Sequence, residues 1–203
     1  MSEQRSDLWF ENRLGRFTAS EIFKLMGVKG LGETGKTYAI EKAIESIIGK
    51  NEDEINSKDL TRGVELEPLA FAKFSDIKFL DFLDVSESNF IEYGEHSGAS
   101  PDGLVSDNSN LEIKCPKLVK FFKIVADNKI DDAYLWQMQH QMLCSKTEKT
   151  YFFNYIVDKG TEYWHEIIVQ RDEKKIDLIE SRLIEGIEIK LDYIEKINSQ
   201  KQW

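Results

Sequence analysis

Two acidic residues and a lysine occur close together near the middle of the chain. Asp102 lies in a Ser-Pro-Asp-Gly sequence, and Glu112 and Lys114 follow in the pattern P-D-x9-E-x-K. Side chains alternate between the two faces of a strand, so Glu112 and Lys114 would project together, with Leu111 and Ile113 on the other face. The spacing therefore predicts one face that carries an acid and an amine, and one apolar face that is buried.

A turn is expected to bring Asp102 beside this polar face. Residues 106–110, Ser-Asp-Asn-Ser-Asn, favour a turn, and a short strand carrying Asp102 would fold back along the strand of Glu112. Two converging carboxylates suit a hard divalent ion such as Mg²⁺, which prefers oxygen ligands and retains water. Such an ion polarises a phosphoryl oxygen, while a lysine orients the attacking water or offsets charge. These residues indicate phosphodiester cleavage, although each of them alone is also common in a structural role.

Composition limits the class of protein. At 203 residues, with 41% hydrophobic and 32% charged residues, we expect one nuclease domain spanning residues 1–203. The N-terminal sequence is polar, no apolar run reaches membrane-spanning length, and Cys115 and Cys144 are the two cysteines. We therefore expect a reduced, cytoplasmic protein without membrane contact, in the host cytoplasm if a phage encodes it. The net charge of −10 requires that any DNA-binding cations be concentrated in one groove or channel.

The N-terminal region contains a candidate anion site. Thr18-Ala-Ser-Glu21 is a capping box, so we expect a helix that starts near Thr18. Arg13 and Arg16 lie just before this positive helix end, where guanidinium groups and free backbone amides could hold an anion together. Pairing of the two arginines with nearby acids is the alternative.

Residues 30–37 fit the phosphate-loop pattern G-x4-G-K-[ST]. A working phosphate loop follows a buried strand, whereas the segment before Gly30 has helical capping and spacing. We therefore expect a flexible connector that touches DNA through Lys29 and Lys36, and a nucleotide-driven protein stays a separate alternative.

Apolar periodicity predicts the elements that position these residues. Helices are expected over residues 38–48, 60–82 and 131–144 and from residue 172, and strands near residues 90–93, 102, 112, 151–157 and 164–169. This order predicts the α/β class (mixed α+β), with a mixed sheet flanked by helices. Gln137, Gln139 and Gln141 lie in the third helix and are expected to contact phosphate or a site. His140 and His165 lack metal-ligand partners at suitable spacing and are expected to be non-catalytic.

Several longer motifs occur in order along the chain. They are R-L-G-x-x-T-A-S-E at residues 13–21, G-x-x-x-E at 63–67, S-P-D-G-L at 100–104, L-E-I-K-C-P at 111–116, Y-x-x-Q-x-Q at 134–139, Y-F-F-N-Y at 151–155 and R-D-E-K at 171–174. With these motifs the chain resembles the lambda-exonuclease family of phage recombination nucleases, within the PD-(D/E)xK superfamily. The resemblance implies a restriction-endonuclease-like nuclease fold with a central mixed sheet.

The resemblance implies a metal site. Asp102 and Glu112 would ligate Mg²⁺, with the backbone carbonyl of Ile113 as a further ligand. Glu67 falls on the acidic helix residue that the family places near a second ion, so two Mg²⁺ ions are implied, with Mn²⁺ as a substitute. The chain departs from the family pattern at Pro68, which could shift the Glu67 carboxylate.

The resemblance also implies roles for five other matched residues. Lys114 would position or activate the attacking water, and Gln137 would hydrogen-bond near the scissile phosphate. Arg13, with Ser20 at the same helix start, would receive the 5′-phosphate of the strand being degraded. Lys58 matches a basic position on the path of the DNA.

The implied function is a Mg²⁺-dependent 5′→3′ exonuclease that acts on double-stranded DNA with a free 5′ end. It would release 5′-mononucleotides and leave 3′ single strands for recombination, together with a single-strand annealing protein. The implied assembly is a ring-shaped homotrimer, which would fit the negative net charge because the channel alone has to be basic. A PD-(D/E)xK endonuclease that cuts or nicks internally is the alternative within enzymes, and a non-catalytic DNA-binding or adaptor protein is the alternative outside them.

Overall fold

The computed structural model describes residues 7–49 and 58–200, with the side chains of residues 9–49 and 65–200. The first part contains helix α1 (Asp7–Arg13), strand β1 (Phe17–Thr18), a 3-10 helix (Ala19–Leu25), α2 (Gly32–Ile48) and α3 (Lys58–Leu80). Five short strands follow: β2 (Val85–Glu87), β3 (Ile91–Tyr93), β4 (Ser97–Ala99), β5 (Gly103–Val105) and β6 (Ser109–Lys114). The last part contains α4 (Leu118–Asp127), α5 (Asp132–Ser145), β7 (Lys149–Asp158), β8 (Thr161–Gln170) and α6 (Glu173–Gln200).

The larger sheet is mixed and has helices on both faces. Its strand order is β2-β5-β6-β7-β8, and β6 and β7 are parallel while the other neighbours are antiparallel. On one face, Leu111 and Ile113 of β6 pack with Phe74 of α3. On the other face, Met138 of α5 packs with Phe152 of β7. Each such side chain contributes about 1.5–3 kcal/mol when fully buried, so the alternation along β6 fixes which residues face the site.

The strand predicted near residues 90–93 belongs to a different sheet from the one expected. We predicted that it would lead directly into the strands of Asp102 and Glu112, but β3 lies in a second sheet of order β1-β4-β3. The unpredicted strand β4 intervenes and pairs in parallel with β1. It consists of Ser-Gly-Ala, which carries no apolar periodicity, and a Cβ at Gly98 would lie 2.2 Å from the Phe90 ring. Close packing of small residues, which leaves little trace in a sequence, therefore forms this strand.

The predicted connector over residues 30–37 is helical. Helix α2 begins at Gly32, the Gly35 N–H donates to the Leu31 carbonyl (3.2 Å), and the Lys36 Nζ pairs with Glu33 (3.1 Å). The backbone N–H groups of this segment therefore belong to a helix rather than to a phosphate-binding loop. The prediction of a flexible connector was wrong, and the expectation that these residues lack a phosphate-loop structure agrees with the structure.

Two other helix predictions need correction. The helix after Thr18 is a 3-10 helix, and Thr18 makes no side-chain capping hydrogen bond. Helix α2 buries Tyr38 and Ala43 as its core face, while Ile44 and Ile48, which we expected to face the core, are exposed. The buried face of α2 consists mainly of Tyr38, small residues and Lys42 rather than of the isoleucines, so the spacing of large apolar residues indicated the wrong face.

The remaining elements agree with the sequence. Helices α5 and α6 and strands β7 and β8 lie where periodicity predicted them. Lys159 and Gly160 both have positive φ, which is the backbone of a two-residue hairpin turn that matches the strand twist. None of the described helices is both long and apolar enough to cross a membrane.

His140 gives the fold a defined acid sensitivity. The side chain is fully buried, its Nε2 lies 2.9 Å from the Ser97 Oγ, and burial lowers its pKa to about 3. The unfolded chain therefore binds a proton that the folded chain does not, and stability should fall as pH decreases from about 6.5, by up to about 1.4 kcal/mol per pH unit. Urea unfolding between pH 7.5 and 5 measures this slope. His140→Gln should flatten it, and an unchanged slope in that variant would exclude His140 as its source.

Candidate active site

Asp102 extends the hydrogen bonding between β5 and β6 through its side chain. It lies one residue before β5 rather than in a strand as predicted, because β5 begins at Gly103. The predicted turn is present, and it pairs β5 antiparallel with β6. The Asp102 N–H donates to the Leu111 carbonyl (2.9 Å), and the Asp102 Oδ2 accepts from the Ile113 N–H (2.6 Å). The carboxylate thus takes the place of a backbone acceptor where the strand has not yet begun.

Glu112 is buried and held on both oxygens. Its Oε1 accepts from the Gln137 Nε2 (2.7 Å) and lies 2.5 Å from the Lys114 Nζ. Its Oε2 accepts from the Gln141 Nε2 (2.5 Å). Gln137 and Gln141 are four residues apart and therefore lie on one face of α5. The structure therefore places two predicted residues, Lys114 and Gln137, in contact with the same oxygen of Glu112.

Gln141 was expected, with Gln137 and Gln139, to contact phosphate or a site, but the sequence assigned it no specific role. The sequence did place it on one stripe with Gln137, and that spacing was the signal that could have identified it. Gln139, which lies in the matched motif, has a structural position instead. Its Nε2 donates to the Gln170 carbonyl (2.8 Å), and its Oε1 accepts from the Asp172 N–H (2.9 Å). Two of the three glutamines therefore belong to the site, and the third holds the connection between β8 and α6.

The charges at this centre oppose one another. Burial and the negative charges of Glu112 and Glu67 raise the pKa of Asp102 well above its ordinary value, although Lys114 acts in the other direction. Burial alone would lower the pKa of the Lys114 ammonium, but Glu112 and Asp102 outweigh it, and its pKa is raised. Lys114 therefore stays protonated at neutral pH, as a hydrogen-bond donor and a positive charge rather than a general base.

The acidic pair has the chemistry of a site for a hard cation. Asp102 and Glu112 supply carboxylate oxygens, which Mg²⁺ prefers, and a divalent charge would oppose both the burial and the repulsion that raise the Asp102 pKa. In the described parts of the chain, no three or more His, Cys, Asp or Glu side chains are grouped so that they could hold a metal ion. Glu67 is therefore not a third member of a compact carboxylate cluster.

Glu67 nevertheless acts on the site from α3. It is half-buried, whereas Glu65 is exposed, and its charge is one of those that raise the pKa of Asp102. Because α3 begins at Lys58, Pro68 lies in the helix interior rather than in its first turn. It removes one helical hydrogen bond, but the helix continues and Glu67 remains on it. The Lys58 side chain lies outside the described residues, so its role on the DNA path stays a prediction.

Arg13, in the predicted anion site, contacts the segment that precedes Asp102. Its Nη1 donates to the Ser100 Oγ and its Nη2 to the Ser20 Oγ, both at 3.2 Å, and its guanidinium lies 4.1 Å from the Trp9 ring centroid. Ser100, which is two residues before Asp102, was not predicted as a site residue. Its place in the Ser-Pro-Asp-Gly sequence was the available signal. The structure therefore brings Arg13 and Ser20 together and links them to the segment between β4 and β5 that carries Asp102.

Arg16 behaves differently from Arg13. Its Nη1 pairs with the Glu92 Oε1 at 2.6 Å, which is the alternative we considered for both arginines. Burial lowers the pKa of the Arg13 guanidinium, while the charges of Tyr38, Glu21 and Glu112 oppose this effect. The influence of Glu112 on Arg13 indicates that the cation and the acidic pair belong to one site.

Comparison with known families identifies the chain's relatives. The profile of a family described as the YqaJ-like viral recombinase domain matches residues 8–148, which include every described candidate residue. The chain belongs to this family. A search among curated proteins gave no match.

Solved structures agree with this recombinase family. An alkaline exonuclease from Laribacter hongkongensis has a TM-score of 0.83 and 29% sequence identity, over 96% of this chain and 97% of that chain. The same exonuclease in complex with dAMP gives a TM-score of 0.83 and 28% identity over the same shares. A phage-related exonuclease from Haemophilus somnus 129PT gives a TM-score of 0.73 and 22% identity, over 92% of this chain and 96% of that chain, and is similar in fold.

These comparisons settle the class of the protein. The predicted resemblance to lambda-exonuclease-type recombination nucleases is confirmed, and so is the PD-(D/E)xK-type fold with a mixed sheet flanked by helices. The likeness to the Laribacter enzyme over nearly the whole of both chains confirms the prediction that this recombinase-family chain is an enzyme of the nuclease class.

Replacement of Asp102 by Asn should stabilise the metal-free protein. The substitution removes a negative charge that burial and Glu112 disfavour, and the Asn oxygen still accepts the Ile113 N–H. Because the folded-state pKa is raised, the ionised group destabilises the fold at neutral pH, and this penalty disappears below the ordinary carboxyl pKa. We expect Tm at pH 7.5 in EDTA to rise by about 2–4 °C, which corresponds to about 1 kcal/mol. A lower Tm for the variant would contradict the assigned repulsion.

Proposed function

We propose that this protein is a Mg²⁺-dependent 5′→3′ exonuclease that degrades one strand of double-stranded DNA and releases 5′-mononucleotides. The observation that carries the proposal is the juxtaposition of two sites. Asp102 and Glu112 form an acidic pair beside the protonated Lys114. Arg13 donates a hydrogen bond to Ser100, which is two residues before Asp102 in the chain. A cation site beside an anion site is the arrangement that a terminal phosphate and the next phosphodiester require.

The metal ligands we propose are Asp102, Glu112 and the Ile113 carbonyl. The N–H and C=O of one strand residue point to the same side of the strand. Since the Ile113 N–H donates to Asp102, its carbonyl faces the same side. When bound, Mg²⁺ acts as a Lewis acid on the phosphoryl oxygen and lowers the pKa of bound water. Glu67 would contribute from α3 toward a second ion, and Mn²⁺ would substitute because it shares the preference for oxygen ligands.

Lys114 and Gln137 would orient the reacting groups. Lys114 is held as an ammonium by Glu112 and Asp102, so its role would be to donate a hydrogen bond to the attacking water or to the phosphate oxygens. Gln137 donates to the Glu112 Oε1 beside the Lys114 Nζ, which supports its assignment near the scissile phosphate.

The polarity of digestion would follow from Arg13. A 5′-phosphate bound by the guanidinium and by the hydroxyls of Ser20 and Ser100 would place the first phosphodiester at the acidic pair. The relative from Laribacter binds dAMP, a mononucleotide of the kind proposed here as product. Lys58 would contact the duplex further along its path.

We further propose a ring-shaped homotrimer that acts in the cytoplasm together with a single-strand annealing protein. The negative net charge of −10 supports a closed channel, because cations can then be concentrated where the DNA passes. The 3′ single strand left by digestion would be the substrate of the annealing partner in recombination.

Digestion of end-labelled duplex DNA tests the proposed function. A linear duplex labelled at either the 5′ or the 3′ end is incubated with Mg²⁺ or EDTA, with a closed circular duplex as control. We expect early release of the 5′ label as mononucleotide, with Mg²⁺ required and the circle resistant. Lys114→Ala should reduce the rate about 100- to 1,000-fold, because it removes a contact to the transition state. Internal cleavage of the circle would instead establish the endonuclease alternative.

Arg13→Ala should distinguish the two kinds of DNA end. The substitution removes the guanidinium that would bind the terminal phosphate, so digestion of a 5′-phosphorylated duplex should slow by about 10- to 100-fold, as for loss of a charge-assisted hydrogen bond. A 5′-hydroxyl duplex should be affected much less. Arg16→Ala, which breaks a surface pair with Glu92, is the matched control. Equal slowing on both ends would remove the proposed role of Arg13.

A further inference from the structure

A group of buried polar atoms lies behind Glu112, on the side away from Lys114. Asn110 of β6, Thr150 of β7 and Gln141 of α5 are all fully buried. Among the described residues, no hydrogen-bond partner is found for the Asn110 Nδ2 and Oδ1, the Thr150 Oγ1 or the Gln141 Oε1. Buried polar groups nearly always have a partner, either in the protein or in ordered water.

The strand register brings these atoms together. Asn110 and Thr150 are directly paired across β6 and β7, so their side chains share a face of the sheet. Asn110 lies two residues before Glu112 and therefore on that same face, while Lys114 lies two residues after it. Lys114 and Gln137 act on the Glu112 Oε1, and Gln141 acts on the Oε2. Because its amide contacts Glu112, Gln141 places its free oxygen on the same face of the sheet as the side chains of Asn110 and Thr150.

The hydrogen-bonding types of the four atoms match those of water. The Asn110 Nδ2 and the Thr150 hydroxyl can donate, and the Asn110 Oδ1 and the Gln141 Oε1 can accept. A buried water molecule makes about three hydrogen bonds to polar groups that otherwise lack partners. An apolar ligand would leave all four atoms unbonded, and a charged ligand would require a counter-charge that these neutral side chains do not supply.

We propose that Asn110, Thr150 and Gln141 enclose an internal-water site that orients Glu112 through Gln141. Water bonded to the Gln141 Oε1 fixes the plane of that amide, and the amide in turn directs its Nε2 to the Glu112 Oε2. All three are positioning residues: Gln141 contacts Glu112 directly, whereas Asn110 and Thr150 act on Glu112 through the water and Gln141. Their effect on metal binding rests on the proposed function, whereas the water site itself does not.

The sign of a stability change tests the water site. Thr150→Val has nearly the same shape and removes the hydroxyl. If the hydroxyl bonds to internal water, the variant leaves that water short of a partner, and its Tm should fall. If the hydroxyl is dry and unbonded, valine should leave Tm unchanged or raise it, and the proposal is overturned. Thr150→Ser keeps the hydroxyl and removes only a buried methyl group, so any Tm loss in that variant measures packing alone. Thr161→Val, at an exposed strand position, is the control for the substitution itself.

Metal binding tests the positioning role without DNA cleavage. Calorimetric titration of the DNA-free protein with Mn²⁺ should show about 10-fold weaker binding for Thr150→Val and for Asn110→Leu, the range found for groups that orient metal ligands. The half-saturating Mg²⁺ concentration for cleavage should rise equally, with little change in kcat at saturating Mg²⁺. Thr150→Ser should behave like the wild type. Equal losses in the serine and valine variants would show that packing, rather than the hydroxyl, is responsible.

The two proposals fail in different ways. A wild-type chain without nuclease activity would reject the proposed function, while the Tm shifts would still test the water site. A Tm that does not fall for Thr150→Val in an active enzyme would reject the water site alone.

Discussion

The repulsion between the carboxylates of half-buried Asp102 and buried Glu112 is the constraint on which the rest of the site depends. Two negative charges can remain close in a buried place only if other groups hold them. Lys114, Gln137 and Gln141 hold Glu112, and the Ile113 N–H holds Asp102. This arrangement keeps both carboxylates in place, so the fold itself supplies the free energy that opposes their repulsion.

The chemistry-bearing residues were predictable because they depend on local spacing. The alternation along β6, the turn after β5 and the four-residue interval on α5 each follow from short stretches of sequence. The larger sheet could be predicted for the same reason. The specific contacts of Gln141 and Ser100 were not predictable because they cross the fold, to Glu112 on another element and to Arg13 far away in the chain.

The errors have physical causes of another kind. Strand β4 consists of small residues that pair because Gly98 allows the Phe90 ring to approach, and such contacts have no periodic pattern. Residues 32–37 of the glycine-rich segment are helical because α2 packs against the 3-10 helix and α6, which overrides the weak helix preference of glycine. Pro68 similarly lies inside α3, where tertiary packing sustains the helix despite a missing hydrogen bond.

The side chain of Asp102 accepts a hydrogen bond that continues the pairing of β5 with β6, and it is also one of the two acids of the site. Its position is therefore tied to the register between β5 and β6 rather than to a flexible loop. Burial of Leu111 and Ile113 fixes the faces of β6, so adding or removing one residue in the turn at 106–108 would shift β5 by one residue against β6 and move the Asp102 carboxylate away from the Ile113 N–H. The length of the turn is therefore as important to the site as the acids themselves, because an insertion there would separate Asp102 from Glu112.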